Sequence, residues 1–213
     1  MLLELFPVRS SPFRSLPCVM TLLLLAGLGA CDKQSPPAGQ GPNASGEATG
    51  PAQSGAPGKG GEFSYTLDRS KAGTPAPDFT FQNPDGSDAS LKDFAGKPML
   101  VNLWATWCAP CVAEMPTLDA VAAEYGKKGL AVLTISQDSQ GETVIKPFFE
   151  KHPLPHLKGW IDPENQFGFH YNTGMLPTTV IYDAQGKEMA RVVGAMDWSS
   201  KEGRALIDAA MAS

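Results

Sequence analysis

The sequence predicts an α/β fold with a mixed central sheet flanked by helices. Residues 98–104 and 130–136 are almost continuously apolar, which is typical of buried strands. The stretch 109–127 between them repeats its apolar residues every three or four positions, which predicts an amphipathic helix. Later strands at 178–182 and 188–193 are joined by a short turn. A strand–helix–strand unit followed by a hairpin predicts a sheet with both parallel and antiparallel pairs.

Shorter elements complete the predicted pattern. In order, they are a strand at 79–81, a type I turn at 83–86, a helix at 142–151, a strand at 160–161, a helical turn at 166–171, a hairpin turn at 183–186 and a closing helix at 199–211. Ser199 or Ser200 can cap the closing helix. Pro116 should bend the helix at 109–127, because proline removes a hydrogen bond from a helix interior.

Composition excludes several classes of protein. The 213 residues include 17 basic and 22 acidic side chains, for a net charge of -5. This balance argues against a general nucleic-acid-binding protein, which would present a basic face. Four cysteines are too few for a disulfide scaffold of this length. A hydrophobic content of 42% allows a buried core, and a length near 200 residues allows one domain with appendages or two small domains.

The first thirty residues have the pattern of a secretory signal. Two arginines precede an apolar run at 19–30, which is shorter than the about 17–25 residues that a membrane-spanning helix needs. The sequence LGAC at its end resembles the bacterial lipobox, and this resemblance implies cleavage before Cys31 and lipidation of that cysteine. Asp32 follows at the position that retains many enteric-type lipoproteins at the inner membrane. The alternative is an uncleaved signal anchor, which also places the rest of the chain outside the cytoplasm.

The chain is predicted to divide into three parts. Residues 1–30 form the signal, residues 31–62 form a lipid-anchored flexible linker, and residues 63–213 form the folded domain. The linker consists mainly of Pro, Gly, Ala, Ser and Gln, which leave little to bury, so conformational entropy favours a flexible tether. A domain of the remaining length can bury a stable core without disulfide cross-links.

The chemistry is predicted at the motif WCAPC, residues 107–111. Cys108 and Cys111 are the two cysteines of the predicted domain, and they stand between a buried strand and the start of a helix. The positive end of the helix favours a thiolate at Cys108. The i, i+3 spacing brings both sulfurs to one side of the first turn, with Cys111 deeper. We therefore expect Cys108 to attack and Cys111 to resolve the mixed disulfide. Pro110 suits this first turn, which does not need its N–H.

Two other interpretations of the cysteine pair remain open from the residues alone. The pair can be a permanent structural disulfide or half of a zinc site. Structural zinc normally takes four ligands, and the sequence has no second CxxC motif. The three histidines, His152, His156 and His170, are scattered, and we expect surface or packing roles for them. No metal site is predicted, and no cofactor beyond a redox-active disulfide between the two cysteines.

Several segments resemble one family. LVNLWATWCAPCVAEMP at 100–116 resembles the active-site segment of the TlpA/ResA branch of thioredoxin-like proteins. The segment 76–98 is similar to the N-terminal hairpin of that branch, and 174–194 is similar to its cis-proline loop and last two strands. The ending at 192–211 is most similar to the TlpA members. The resemblance covers about residues 70–212 and implies a thioredoxin fold with an N-terminal hairpin and a central insertion.

The resemblance also implies roles for individual residues. It matches Cys108 with the nucleophile of the family and Cys111 with its resolving cysteine. Pro177 matches the cis-proline that faces the disulfide, and Leu176 before it lines the substrate groove. Glu114 matches the active-site glutamate. A carboxyl group buried beside a thiol would have a raised pKa, and it could exchange a proton with Cys111.

Residues around the motif add to the predicted site. Trp107 is expected to shield the thiolate and to contact substrate, and Trp104 suits the core equally well. With Trp107, the predicted substrate-binding residues are Pro110, Leu176 and Pro177. Asn102 stands where thioredoxin itself has an aspartate. Because an amide carries no titratable proton, proton transfer near the buried cysteine would fall to the glutamate or to water.

The function implied by the resemblance is that of a protein disulfide reductase, lipid-anchored on the periplasmic side of the bacterial inner membrane. Its implied clients are extracytoplasmic proteins with cysteine pairs, namely apocytochrome c, a Sco-type chaperone or oxidase subunit II. A membrane thiol transporter of the CcdA or DsbD type would keep it reduced. The alternatives are a metallochaperone that carries Cu(I) on the two cysteines and an oxidase that donates disulfides.

Overall fold

The computed structural model describes residues 63–213 and one two-residue strand, Gln53–Ser54. The predicted signal at 1–30, the predicted lipidation site Cys31 and the rest of the predicted linker lie outside the described residues. Within the predicted linker, Gln53–Ser54 pairs with the first strand of the domain. In the described part of the chain, no helix combines the length and the apolar character needed to cross a membrane.

Nine strands and four α-helices follow one another along the described chain. They are β1 (Gln53–Ser54), β2 (Tyr65–Asp68), β3 (Thr80–Gln82), β4 (Asp88–Ser90), β5 (Met99–Trp104), α1 (Ala109–Tyr125), β6 (Ala131–Ser136), α2 (Glu142–Lys151), β7 (Trp160–Ile161), α3 (Gln166–Tyr171), β8 (Thr178–Tyr182), β9 (Glu188–Gly194) and α4 (Lys201–Met211). Short 3-10 turns at Leu91–Phe94 and Gly126–Lys128 follow β4 and α1.

The nine described strands form a single mixed sheet. Their order is β1-β2-β9-β8-β5-β6-β7-β3-β4. The central strands β5, β6 and β7 run parallel, and every other neighbouring pair is antiparallel. The α/β fold with a mixed sheet is therefore confirmed. The N-terminal hairpin is β3–β4, and the central insertion places α2, β7 and α3 between β6 and β8.

The sheet is covered by side chains on both faces. All six residues of β5 are buried. Leu100 and Trp104 point to the face covered by α1, α2 and α4, whereas Val101 and Leu103 point to the face covered by α3 and the N-terminal hairpin. Successive side chains of a strand alternate between faces, so two buried faces require an almost continuous apolar run. The run at 98–104 has this physical origin.

One end of the sheet collects the loops that carry the predicted site. Strands β5 and β6 are parallel and end at the same level, and β8 runs antiparallel to β5 and so begins there. Strand β9 runs antiparallel to β8 and ends there as well. The segments 105–108, 137–138, 175–177 and 195–196 therefore emerge together. We call this end, defined by these four segments, the loop end of the sheet.

The boundaries of most predicted elements are confirmed. Helix α1 begins at Ala109, and α4 is capped by Ser200, whose hydroxyl accepts a hydrogen bond from the Gly203 N–H at 3.1 Å. The choice between the two candidate serines is thereby settled. Pro116 lies inside α1, and the bend there stays a prediction.

Strand β2 was missed by the sequence reasoning. Its four residues, YTLD, are half-buried and carry no long apolar run. The strand joins the sheet beside β9, where Gly194 has a φ of +102°. A Cβ atom on Gly194 would lie 2.3 Å from the Ser64 carbonyl oxygen, so the close approach of β2 depends on glycine. Pairing with a distant strand, rather than local pattern, determines this element.

Candidate active site

Cys108 and Cys111 form a disulfide at the start of α1. Cys108 caps the helix, because its sulfur accepts a hydrogen bond from the Cys111 N–H at 3.3 Å. Pro110 lies in the first turn, where helical N–H groups have no partner in any case. Cys108 keeps 6% of its surface exposed and Cys111 keeps none. Cys108 is therefore the less buried of the two cysteines, as the i, i+3 spacing predicts.

The two tryptophans of the motif occupy opposite environments. Trp107 is 72% exposed, which is unusual for so large an apolar side chain. Trp104 is completely buried and packs on Phe148 with ring centroids 4.8 Å apart. Trp104 is thus a core residue, whereas Trp107 is free to contact a second molecule beside the disulfide.

The predicted cis-proline loop lies at the same end of the sheet. The Leu176–Pro177 peptide bond is cis, as the resemblance implies. Pro177 is buried, and its carbonyl oxygen accepts a hydrogen bond from Gly194 N–H at 2.9 Å. Leu176 is half-buried, and within residues 63–213 its backbone N–H and C=O make no hydrogen bond. This leaves two backbone groups available to an extended polypeptide.

Two threonines hold the loop in front of the cis-proline. The Thr178 hydroxyl donates to the Met175 carbonyl at 2.8 Å and lies 2.7 Å from the hydroxyl of Thr173. The Met175 side chain is 55% exposed. The backbone of the loop is therefore fixed from inside, while its apolar side chain faces outward.

Glu114 lies one turn beyond Cys111 on α1 and is completely buried. Its Oε1 accepts a hydrogen bond from Asn102 Nδ2 at 2.7 Å, and its Oε2 accepts one from Met196 N–H at 3.0 Å. Asn102 Nδ2 also donates to the Thr179 hydroxyl at 2.9 Å. The carboxyl group is therefore held in one position by β5 and by the segment after β9.

Burial raises the pKa of Glu114 to about 8. Hydrogen bonds from Met196 N–H and from the Asn102 amide act in the opposite direction. The indole of Trp198 also lowers the pKa, although its N–H makes no hydrogen bond of good geometry. Among the described ion pairs, none involves Glu114. A carboxyl group that titrates near neutral pH can both accept and donate a proton.

The three histidines have aromatic or exposed surroundings. His152 stacks on Phe148 with ring centroids 4.4 Å apart, His170 lies edge-on against Phe79, and His156 is exposed. Across the described residues, no three potential ligands among His, Cys, Asp and Glu come together.

The structure brings the predicted site residues together at the loop end of the sheet, except Cys31, which lies outside the described residues. Sequence reasoning missed the partners of Glu114 and a buried aspartate, Asp138. Met196 contributes only its backbone, so no side-chain pattern could indicate it. Asp138 directly follows the first residue after a buried strand, and a polar residue at that place could have been found.

Comparisons with known proteins agree with this geometry. The family model described as Redoxin matches residues 71–207. The thiol-disulfide oxidoreductase ResA of Bacillus cereus is 30% identical over 141 residues, which is 66% of this chain and 80% of that protein.

Two solved structures are also similar. A putative thiol:disulfide interchange protein DsbE from Chlorobium tepidum has a TM-score of 0.60 and 27% identity, and the match covers 66% of this chain and 97% of that one. The pneumococcal exposed lipoprotein thioredoxin (Etrx1) from Streptococcus pneumoniae has a TM-score of 0.54 and 27% identity, over 62% and 99% of the two chains. The chain belongs to the Redoxin family and is a thiol:disulfide oxidoreductase with a thioredoxin-like fold.

Proposed function

We propose that this protein is a membrane-tethered reductase that faces the periplasm and opens disulfides in client proteins. One observation carries the proposal: Cys108, the less buried of the two cysteines, lies at the same end of the sheet as the exposed Trp107 and as Leu176, whose backbone makes no hydrogen bond within residues 63–213. This combination provides a reactive group, an apolar contact and a backbone pairing site for a polypeptide.

The reaction begins with both cysteines reduced. The Cys108 thiolate attacks one sulfur of the client disulfide, which forms a mixed disulfide and releases the first client thiolate. The Cys111 thiolate then attacks the Cys108 sulfur and releases the second client thiolate. The client gains two electrons, and the Cys108–Cys111 disulfide forms. The position of Cys108 at the N-terminus of α1 favours its thiolate form in the first step.

Glu114 is suited to the second step. Cys111 must lose its proton before it can attack, and it is completely buried. A neighbouring carboxylate on the same helix can accept that proton, because its pKa of about 8 lies close to that of a thiol. When the pair is reduced again, the same carboxyl group can return the proton.

The client is expected to bind as an extended strand. Its backbone pairs with Leu176, as in other cases where a peptide adds to an exposed strand-like segment. The exposed side chains of Trp107 and Met175 offer apolar contacts beside the disulfide. Pro110 lies between the two cysteines in the first turn of α1.

The proposal of membrane tethering rests on the N-terminal sequence and on one similar structure, and the proposed clients rest on the resemblance of the sequence to the TlpA/ResA branch. Cys31 follows a signal-like run in a lipobox-like context, and one similar structure is of an exposed lipoprotein thioredoxin. Apocytochrome c, a Sco-type chaperone and oxidase subunit II are the candidate clients. The TlpA-like ending favours the two copper-site clients. A transporter of the CcdA or DsbD type would return electrons to the pair.

The test is to trap the client on the enzyme. Cys111→Ala removes the resolving sulfur, so the mixed disulfide through Cys108 should accumulate in cells and be identified by mass spectrometry. Cys108→Ala is the matched control and should trap nothing. Adducts on the Cys108→Ala variant alone would reverse the two roles, and a failure of both variants to form adducts would refute the proposal. Cu(I) bound stoichiometrically to the reduced pair would favour the carrier alternative.

A further inference from the structure

The segment that presents Cys108 is a tight turn held from one side. Cys108 N–H donates to the Ala105 carbonyl at 3.1 Å, which closes the turn. Thr106 inside the turn donates twice to Asp138: its N–H reaches Oδ2 at 2.8 Å, and its hydroxyl reaches Oδ1 at 2.9 Å. Both hydrogen-bond donors of Thr106 therefore bind one carboxylate.

Asp138 is itself fixed. It is 5% exposed and lies just after β6, the parallel neighbour of β5. The Ser136 hydroxyl donates to Asp138 Oδ2 at 2.9 Å, and the Asp138 N–H donates back to that hydroxyl oxygen at 3.0 Å. A carboxylate that receives three donors has little freedom to rotate.

We propose that Asp138 is a positioning residue that holds Thr106 and thereby presents Trp107 and Cys108 to the client. The inference deepens the proposed function and rests on it. Asp138 acts through Thr106 and needs no contact with the reacting sulfurs. The loops after β5 and β6 are coupled by this contact, so the nucleophile is aligned by a neighbouring strand as well as by its own helix.

The physical reason is the geometry that disulfide exchange requires. The attacking sulfur, the attacked sulfur and the leaving sulfur must line up, and a misplacement of about 1 Å can cost orders of magnitude in rate. Without Asp138, the partly buried N–H and hydroxyl of Thr106 would lose their partner, and the turn would move to satisfy them. Trp107 would move with it, since it is the next residue in the turn.

Asp138→Ala and Asp138→Asn form the first matched pair of variants. In the asparagine variant, the side-chain oxygen can accept from Thr106 N–H and the Ser136 hydroxyl, while the amide donates to the Thr106 hydroxyl oxygen. We expect Asp138→Ala to lower the second-order rate constant for reduction of a synthetic peptide with one internal disulfide by about tenfold. Asp138→Asn should restore it to within about threefold of the unaltered protein.

Thr106→Val and Thr106→Ser test the same contact from the other side. Valine removes the hydroxyl bond at nearly constant volume, and serine keeps it. If Asp138 acts through Thr106, Thr106→Val should lower the rate constant for peptide reduction in the otherwise unaltered protein. The same substitution should have little further effect on this rate constant in the Asp138→Ala variant. Additive effects of the two substitutions would overturn the inference.

Thermal unfolding of the oxidised variants separates positioning from simple stability. The inference is overturned if Asp138→Ala lowers the midpoint temperature of unfolding but leaves the rate constant for peptide reduction unchanged. It is also overturned if Asp138→Asn is folded but does not restore that rate constant. Should the unaltered protein fail to reduce the peptide while dithiothreitol still opens its disulfide, the proposed function fails, and the inference with it. An active unaltered protein with an equally active Asp138→Ala variant would overturn the inference alone.

Discussion

Two buried glutamates in this protein have opposite surroundings. Glu114, at the loop end of the sheet, is completely buried, and within the described residues it accepts hydrogen bonds from the neutral groups of Asn102 and Met196 and forms no ion pair. Glu188, at the start of β9, is 3% exposed and is bound by the Arg191 guanidinium at 2.5 Å and 2.9 Å. The same side chain is thus buried once without a cation and once with one.

The difference separates a chemical site from a structural one. The Arg191 guanidinium compensates the charge of Glu188 and also donates to the Tyr171 carbonyl at 3.0 Å, which ties β9 to the end of α3. Glu114 has no such partner among the described residues, and burial raises its pKa to about 8. Burial alone therefore does not indicate function. A buried carboxyl group without a compensating cation, on the same helix as a cysteine pair, favours the proposed chemical role for Glu114.

The largest effect on stability is expected from breaking the buried ion pair between Glu188 and Arg191. Arg191→Met leaves Glu188 buried without its cation, so we expect the free energy of unfolding to fall by about 3–5 kcal/mol. Urea unfolding measures this loss. The double variant Glu188→Gln with Arg191→Met is the control and should recover much of the stability. A loss below about 1 kcal/mol for the single variant would contradict the structural role of the pair.

Glu114, which has no cationic partner among the described residues, should make the free energy of unfolding depend on pH. Its pKa in the folded protein, about 8, is above the ordinary value of 4.5, so the folded state keeps a proton that the unfolded state loses between these values. The stabilising contribution is fully present below pH 4.5 and is lost as the pH rises through 8. At about 1.4 kcal/mol per pKa unit, the effect amounts to a few kcal/mol.

Glu114→Gln should remove this dependence. Urea unfolding of the oxidised protein at about pH 5 and about pH 9, on either side of the folded-state pKa, should show a smaller decline in the variant than in the unaltered protein. Glu124→Gln is the matched control, because Glu124 lies on the same helix but is exposed. Parallel declines in the unaltered protein and in Glu114→Gln would show that the buried carboxyl group titrates normally.

A smaller effect is expected on the reaction itself. If the Glu114 carboxylate accepts the Cys111 proton, Glu114→Gln should slow release of the client from the mixed disulfide by about tenfold near neutral pH. Formation of the mixed disulfide through Cys108 should change less. Quenched-flow alkylation followed by mass spectrometry measures both steps. An unchanged release rate and an unchanged pH profile would remove Glu114 from the mechanism.

The smallest effect is expected at an exposed ion pair. Lys92 and Asp78 pair on the surface, where water screens the interaction. Lys92→Ala should therefore change the free energy of unfolding by no more than about 1 kcal/mol. A loss as large as that of Arg191→Met would contradict the view that burial determines the strength of ion pairs in this fold.

The sequence predicted the elements whose signal is local. The buried strands β5 and β6 follow from almost continuous apolar runs, β8 and β9 follow from two strand-like segments joined by a short turn, and α1 follows from its apolar spacing and from the motif at its start. Strand β2 escaped prediction because its pairing with β9 depends on Gly194, which is distant in the sequence. Local pattern carries no information about such a contact.

The candidate site shows the same division between residues with a local sequence signal and residues without one. The cysteine pair, Glu114 and the cis-proline loop follow from sequence motifs. The groups that surround them do not, because Met196 contributes its backbone N–H and Asp138 contacts Thr106 from the loop after the neighbouring strand. The pairing of Glu188 with Arg191 was also missed, since charged residues in a strand give no sign of burial without the three-dimensional fold.

The most direct test of the account is a redox titration of the Cys108–Cys111 pair. The protein is equilibrated in buffers of reduced and oxidised glutathione, and of reduced and oxidised dithiothreitol, and its free thiols are then alkylated and weighed by mass spectrometry. The account predicts one reversible transition in which both thiols appear together, while the domain stays folded, and no such transition in Cys108→Ser. A disulfide that opens only when the domain unfolds would contradict the account, because the pair would then be a structural bridge.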